Sequence, residues 1–397
     1  MELVAAIAKA IGYVFINPIF YLLVVVSIYM GIKRVKKERT EFQTRVFDVV
    51  EDLKTAFGFG IILSLVFSVV ALFIGISFSF QVLVVLAAVY FVLLLPCRPR
   101  LLSPSLVLGF AIMMLMILPH VTTGISLIDN IFSSVQARTY GQLLVLLAML
   151  LIAEAILIMK SGTKKTSPFH LLSKRGRLIG AHESNKLWLF PLIFFVPQNS
   201  GMFSPNWWPS LTVAGESYTI IMFPFIIGFY QLVKGKLPEQ AIFNSGLRVL
   251  LLGVVVLVAT AISYYYPLMI PITVGLALVC REGLYLYERY VDQNRPHFFT
   301  NRKEGLMVLG VIPQSPAAKM NIRVGEAIHK VNGRKVTNED DFYAALQINS
   351  AFCKLEVLDD AGEIRFANRA LFEGDHHELG LIFIDEKFEL KLEEVAT

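Results

Sequence analysis

Few residues in this 397-residue chain have the type and spacing to do chemistry. His182-Glu183-Ser184-Asn185-Lys186 comes nearest to HExxH, in which two histidines one helical turn apart hold zinc and the glutamate acts as base. Lys186 stands where the second histidine must be, and the segment is expected to be a loop, so that motif fails. His376-His377 could ligate a metal, but no third or fourth ligand accompanies them, and solvated loop histidines fit better. All seven histidines (His120, His170, His182, His297, His329, His376, His377) fall outside the apolar runs, and the sequence holds neither GxSxG nor GxxxxGK[ST]. Cys97, Cys280 and Cys353 form no CxxC pattern and are expected as isolated buried thiols rather than a zinc site or disulfide framework. Glu154, in "LLIAEAILIM", is the one acid well inside an apolar run. An intramembrane carboxylate defaults to a functional reading, but a proton relay needs a partner and no other run supplies one. A neutral, helix-packed glutamate is therefore expected. The expectation is a chain with no catalytic residue, no metal and no cofactor.

Those residues sit on a chain that is 55% hydrophobic and 17% charged, where globular proteins run at about 25% charged. Apolar runs cover roughly 17–32, 56–76, 80–96, 104–119, 141–159, 187–198, 217–233, 247–264 and 267–280. Runs that approach ~20 residues are transmembrane candidates. The first apolar stretch begins at Leu3 and is interrupted by Lys9 and by Asn17-Pro18. It suits either an interfacial helix followed by a span or one long tilted helix. No basic stretch precedes it and no A-x-A-like site follows it, so an uncleaved anchor is expected. "LWLFPLIFFVP" is short and carries Pro191 and Pro197, as a half-span would, while Pro224 and Pro271 read as helix kinks.

Charge orients these runs. Nineteen lysines and arginines fall in the loops of one side, from Lys33 and Arg34 through Arg98, Lys160 and Lys186 to Lys234, Lys236 and Arg248. The opposite loops (77–79, 120–140, 199–216, 265–266) hold only Arg138. Lys and Arg mark the cytoplasmic side, so residues 281–397 are expected in the cytoplasm. Trp207 and Trp208, in "PNWWPS", would lie in the aromatic belt of the outer face. Residues 301–397 carry 12 Lys and Arg against 17 Asp and Glu, a mild acidity that argues against a nucleic-acid footprint.

The last hundred residues have soluble composition. "EGLMVLGVI" is strand-like. Ser315 and Pro316 open a short helix, Asn332-Gly333 signals a two-residue hairpin, and Thr337-x-x-Asp340 opens a second helix. "GVIPQSPAAKMNIRVGEAIHKVNGRKV" resembles the signature of bacterial PDZ domains, with Glu326-Ala327 as a mild surface departure where Asp-Val or Asp-Ile is usual. The resemblance implies peptide capture by strand addition at a sheet edge, with a backbone loop for a carboxylate. The loop's apolar-Gly-apolar motif with a following strand is not found before Gly305 and appears instead as Leu379-Gly380-Leu381 leading into "IFI", as in a circularly permuted domain. The implied peptide site is Leu379, Gly380, Leu381 and Phe383, with Phe342 and Leu346 of the second helix across the groove. A plain closing strand is the alternative.

A polytopic part with basic loops, the "NPIFY" opening of the first long run and a single terminal PDZ together resemble the MinJ family of division-site selection. That resemblance implies a membrane-anchored scaffold at septum and poles, with a DivIVA-like polar coiled-coil protein, a MinD-like ATPase and possible further divisome proteins as partners. The expected fold is a polytopic α-helical membrane domain of eight or nine spans (1–280), a linker (281–302), a small α+β PDZ domain, circularly permuted (303–390), and a tail (391–397). A transporter or regulated-proteolysis component with a regulatory PDZ is the alternative.

Overall fold

The structure, a computed structural model, describes residues 2–117, 119, 137–173, 175–198, 210–213, 216–300, 305–349, 351–359, 362–371 and 379–384. Trp207, Trp208 and the His376-His377 pair lie outside the described residues.

Asn17 divides the first apolar stretch into two helices, α1 (Glu2–Ile16) and α2 (Pro18–Phe42). Its side chain accepts a hydrogen bond from Ile19 N at 3.0 Å, and Pro18, which has no N–H to lose, takes the first helical position. There follow α3 (Val50–Ala56), α4 (Phe59–Ile74), α5 (Phe80–Leu94), α6 (Pro104–Ile117) and α7 (Ala137–Leu157). Two more, α8 (Pro238–Tyr265) and α9 (Met269–Gln293), complete the described α-helices of this part. Among the described residues, five helical stretches are long and apolar enough to cross a membrane, and α5 and α6 are shorter apolar helices. On α4 the exposed Ile62, Val66, Val69 and Phe73 form one stripe while Ser64 and Ser68 face inward. This is the inverse of a soluble helix and suits lipid outside.

Two expected helical spans are strands. Residues 187–198 fall mostly in β2 (Leu178–Pro197), and 217–233 lie in β4 (Glu216–Val233). With β1 (Ser167–Leu172) and β3 (Ser210–Val213) they form an antiparallel sheet ordered β1-β2-β4-β3. The cause is local. "LIFF" and "YTIIMF" are runs of β-branched and aromatic residues. Pro191 and Pro224 face each other across the ladder, where a pair that exchanges no N–H···O bonds loses nothing to two prolines. Pro224 therefore kinks no helix, and Pro271 lies in the first turn of α9.

Helices enclose the hairpin, and its largest side chains, Trp188, Phe190, Phe194, Phe223 and Phe225, are buried. The outer edges of its strands are served by helix side chains. Ser68 of α4 accepts from Ile193 N at 3.1 Å, and the Tyr90 hydroxyl of α5 accepts from Ile226 N at 3.2 Å and donates to Ile226 O at 3.1 Å. At the tip Phe195 exchanges backbone bonds with Ile76 O and Phe78 N, in the α4–α5 turn. At the base Trp188 Nε1 donates to Ser161 Oγ at 3.1 Å, and Gly228 lets the turn Pro99–Leu102 lie on β4; a Cβ there would sit 2.0 Å from Pro99 O. The stretch from Leu187 to Pro197 matches the roughly 9–11 residues a strand needs to traverse hydrocarbon.

Glu154 is not alone. Arg281 of α9 contacts its Oε1 through Nη2 at 2.7 Å and Nε at 3.2 Å, and Ser103 Oγ donates to Oε2 at 3.3 Å. The partner was hidden because residues 281–302, expected as a linker, continue the helix as far as Gln293. Of the cysteines, Cys353 is buried, Cys97 half-buried and Cys280 exposed.

The C-terminal domain comprises β5 (Leu306–Val311), α10 (Pro316–Lys319), β6 (Ala327–Val331), β7 (Arg334–Lys335) and α11 (Glu339–Gln347), then β8 (Phe352–Leu358), β9 (Ile364–Ala370) and β10 (Leu381–Phe383). Its sheet runs β10-β5-β6-β8-β9, with β7 on β6. Ser315 Oγ caps α10 through Ala318 N, and Asn332-Gly333, both at positive φ, turns β6 into β7. Asn338 rather than Thr337 caps α11. Phe342, Val308, Ile328 and Leu355 centre the core.

Replacing Arg281 by Ala strands a buried carboxylate at the α7–α9 contact, a loss of about 3–5 kcal/mol. Thermal unfolding in detergent checks this; R281A is expected to melt well below the wild type, and E154Q/R281A to recover part of the loss.

Candidate functional site

The terminal strand β10 gathers the expected peptide-site residues. Leu379 O accepts from Ala317 N at 3.0 Å and Gly380 O from Ile312 N at 2.8 Å, so the segment before β10 is tied to the β5–α10 turn. Gly380 has φ +79°, and a Cβ there would lie 2.2 Å from Ser315 Cβ, so only glycine fits. Leu381 then pairs with Val311 and Phe383 with Val308, with a bulge between Ile382 and Phe383. β10 is an edge strand whose one described neighbour is β5. Leu379, Leu381 and Phe383 point into the domain core beside Phe342 and Leu346 of α11, and the Phe342 and Phe383 rings meet edge-on at 5.0 Å. All six residues converge on this edge, with the apolar side chains packed on one another.

The reverse face of the same two strands is apolar as well. Met307 and Leu309 of β5, together with Ile382 and Ile384, pack on Val46, Phe47, Leu178 and Phe299. These belong to the α2–α3 turn, to β2 and to the segment after α9. The domain is thereby seated on the base of the buried hairpin. His182 Nε2 lies 2.8 Å from Leu309 O, its Nδ1 3.0 Å from Thr166 Oγ1. His182 through Lys186 is strand, not loop, and period-two alternation puts His182 and Glu183 on opposite faces. Glu38 shapes the receiving surface, since its Oε2 accepts from Val46 N at 2.8 Å and Phe47 N at 3.2 Å. A cavity of about 670 Å³ lies beside the junction, reached by His182, Pro238, Val311, Arg323 and Glu326.

The profile of the PDZ domain matches residues 307–357, which run from β5 into β8. The cell division topological determinant MinJ of Bacillus subtilis (strain 168) is 36% identical over 95% of this chain and 95% of its own length. The chain belongs to the MinJ family. The probable cell division topological determinant MinJ of Lacticaseibacillus paracasei is 25% identical over 94% of this chain and 97% of its own. No solved structure matches the chain. Similarity to these determinants extends across the membrane part, whereas the PDZ match ends before β9 and β10.

Two features of this family member escaped the sequence reading. Glu326 is not a surface departure; it is buried and holds Arg365 through contacts of 2.6 and 2.9 Å, tying the β5–β6 connection to β9. The docking of the PDZ domain was also missed, although the unbroken apolar run "LMVLGV" is what a strand buried on both faces looks like.

Gly380→Val combines left-handed backbone strain of about 1–3 kcal/mol with the clash on Ser315. Hydrogen exchange is expected to show lost protection at β5 amides facing β10 and unchanged protection in α7. His182 gives a second test. Burial holds its ring neutral and pushes the pKa from 6.5 to about 4. A released ring therefore takes up a proton between those values that the docked ring refuses. The His182 contribution to docking is fully present above about pH 6.5 and falls away as pH drops towards 4, by up to roughly 3 kcal/mol. Protease cleavage after Gln293 measured against pH is expected to rise over that window in the wild type, with the slope abolished in His182→Gln.

Proposed function

We propose that this chain is a non-catalytic membrane scaffold of division-site selection that presents its PDZ domain to the cytoplasm. The observation that carries this reading is similarity over nearly the whole chain to a named cell division topological determinant, together with the PDZ match at residues 307–357. The basic loops favour a cytoplasmic PDZ. They cluster at the hairpin base, where the domain docks, and the inverse end holds the α4–α5 turn without a charge. The hairpin enters and leaves at the same ends as the two helical spans it replaces, so the alternation of sides is kept.

The peptide site we propose is the β10 edge: Leu379, Gly380, Leu381 and Phe383, with Phe342 and Leu346 opposite. An incoming strand would add beside β10, and the amides around Gly380 would receive a carboxylate. The pairing of the last strand with the first, β10 on β5, favours a circularly permuted domain within residues 303–390. On this reading the scaffold joins a DivIVA-like polar protein to a MinD-like ATPase and sits at septa and poles. Single-strand addition leaves modest affinity, and clustering of copies at one site supplies the rest. The transporter alternative gains a paired polar contact across the helices, Glu154 with Arg281, but similarity over nearly the whole chain to a division determinant favours the scaffold.

Fluorescent fusions in a rod-shaped host test the reading. Enrichment at septa and poles is expected, lost when residues 301–397 are deleted and reduced in Phe383→Ala. Even labelling of the whole membrane by the full chain would refute it.

A further inference from the structure

A second, smaller cavity lies at the other side of the hairpin base, with a volume of about 250 Å³. It is formed where α2 leaves the apolar layer, beside β1 and the start of the buried part of β2. Five basic side chains line it, Lys33, Arg34, Lys37, Lys165 and Lys186, against three carboxylates, Glu38, Asp52 and Glu183. The carboxylates are already committed. Glu38 accepts two backbone amides, Asp52 holds Arg34 at 2.7 Å, and Glu183 lies 3.5 Å from Lys37. Lys165 is paired with Glu51.

What remains is positive. Lys33 is exposed at the mouth and makes no ion pair among the described residues. Lys186 is 3% exposed; its ammonium donates to Lys165 O at 2.9 Å and has no carboxylate within ion-pair distance among the described residues. Burial is costly for an ammonium and pushes Lys186 down to about 8, against the opposing pull of Asp52 and with Arg34 and Lys165 adding to the fall. Arg34 Nε and Glu38 Oε1 face each other at 3.7 Å, each buried without a hydrogen bond, and Asn185 Oδ1, on another lining residue, is a buried acceptor without a hydrogen-bond partner.

The approach to the cavity is apolar. Tyr21, Val25, Ile28, Tyr29 and Ile32 are exposed along α2 at helical spacing and lead directly to Lys33. A ligand with an anionic head and a hydrocarbon tail matches this sequence of surfaces, and basic pockets between spans at the membrane surface are suited to lipid head groups. The cavity equals about eight water volumes at roughly 30 Å³ each, room for a phosphate and a small polyol.

We propose that this cavity holds the head group of one anionic phospholipid, with its phosphate between Lys33 and Lys186, its hydroxyls toward Asn185 and an acyl chain along α2. The bound lipid completes the charge balance beneath the PDZ platform. It makes the base of the hairpin sensitive to the acidity of the surrounding leaflet, independently of any protein partner.

Native mass spectrometry of the purified full chain tests this, with phosphatidylglycerol, phosphatidylcholine or inorganic phosphate added to the detergent solution. Retention of one phosphatidylglycerol per chain, at least tenfold above phosphatidylcholine, is expected. Lys33→Gln and Lys186→Gln should each cut retention about fivefold, while Lys236→Gln, on another basic loop, leaves it unchanged. Lys33 is exposed, so its variant decides the matter even where Lys186→Gln lowers the melting temperature. Equal retention of the two lipids, or full retention by Lys33→Gln, overturns the proposal. Stabilisation by inorganic phosphate that phosphatidylglycerol does not exceed overturns the assignment to lipid and leaves a free-phosphate site.

Discussion

A strand buried among apolar helices has to settle every backbone N–H and C=O with a partner other than water, because each orphaned group costs about 1–3 kcal/mol. Here the inner edges of β2 and β4 satisfy each other, and the outer edges call on Ser68, Tyr90 and the α4–α5 turn. Much of the remaining architecture follows from that requirement. α4 must present serines inward and hydrocarbon outward, α5 must place one tyrosine hydroxyl at Ile226, and the Pro99–Leu102 turn must press on Gly228. The two facing prolines fit because their position needs no donor. A hairpin held in this way runs through the apolar helices, and its base supplies the platform for the PDZ domain.

That platform joins two units that composition separates sharply. β5 and β10 use one face for the PDZ core and the other for the hairpin base, so the strand expected to receive a peptide is also a strand that anchors the domain. Coupling between the two roles is direct. A change at Leu381 or Phe383 moves the same backbone that carries Ile382 and Ile384. Glu38 and His182 hold the receiving surface through backbone contacts, Val46 and Phe47 on one side and Leu309 on the other. For the scaffold proposed above, this arrangement would fix the orientation of the proposed binding edge relative to the apolar helices, where a free linker would leave it to diffuse.

The PDZ domain was largely legible because its signals are local. Ser315 before Pro316, Asn332-Gly333 and the acidic start of α11 each act within a few residues. The membrane hairpin was not legible by the same means. Apolar runs of such length look alike whether they become helix or strand, since burial on all sides removes the periodicity that tells them apart. The β-branched and aromatic content of 187–198 and 217–233 and the paired prolines were the available clues. Glu154 was misjudged because Arg281 lies far along the chain, in a segment whose polar composition suggested a linker.

The sequence by itself determined which stretches avoid water, which loops carry positive charge, that a PDZ module follows the apolar runs, and which residues form its glycine turn at Gly380. Those properties rest on hydropathy, charge and turn chemistry, all encoded within short windows. Only the tertiary structure decided that two apolar runs pair as strands, that Glu154 meets Arg281, and that the PDZ sheet is buried on both faces at its β5–β10 edge. Each of those depends on a partner more than a hundred residues away or on the helices that enclose it, and no local pattern specifies such a partner.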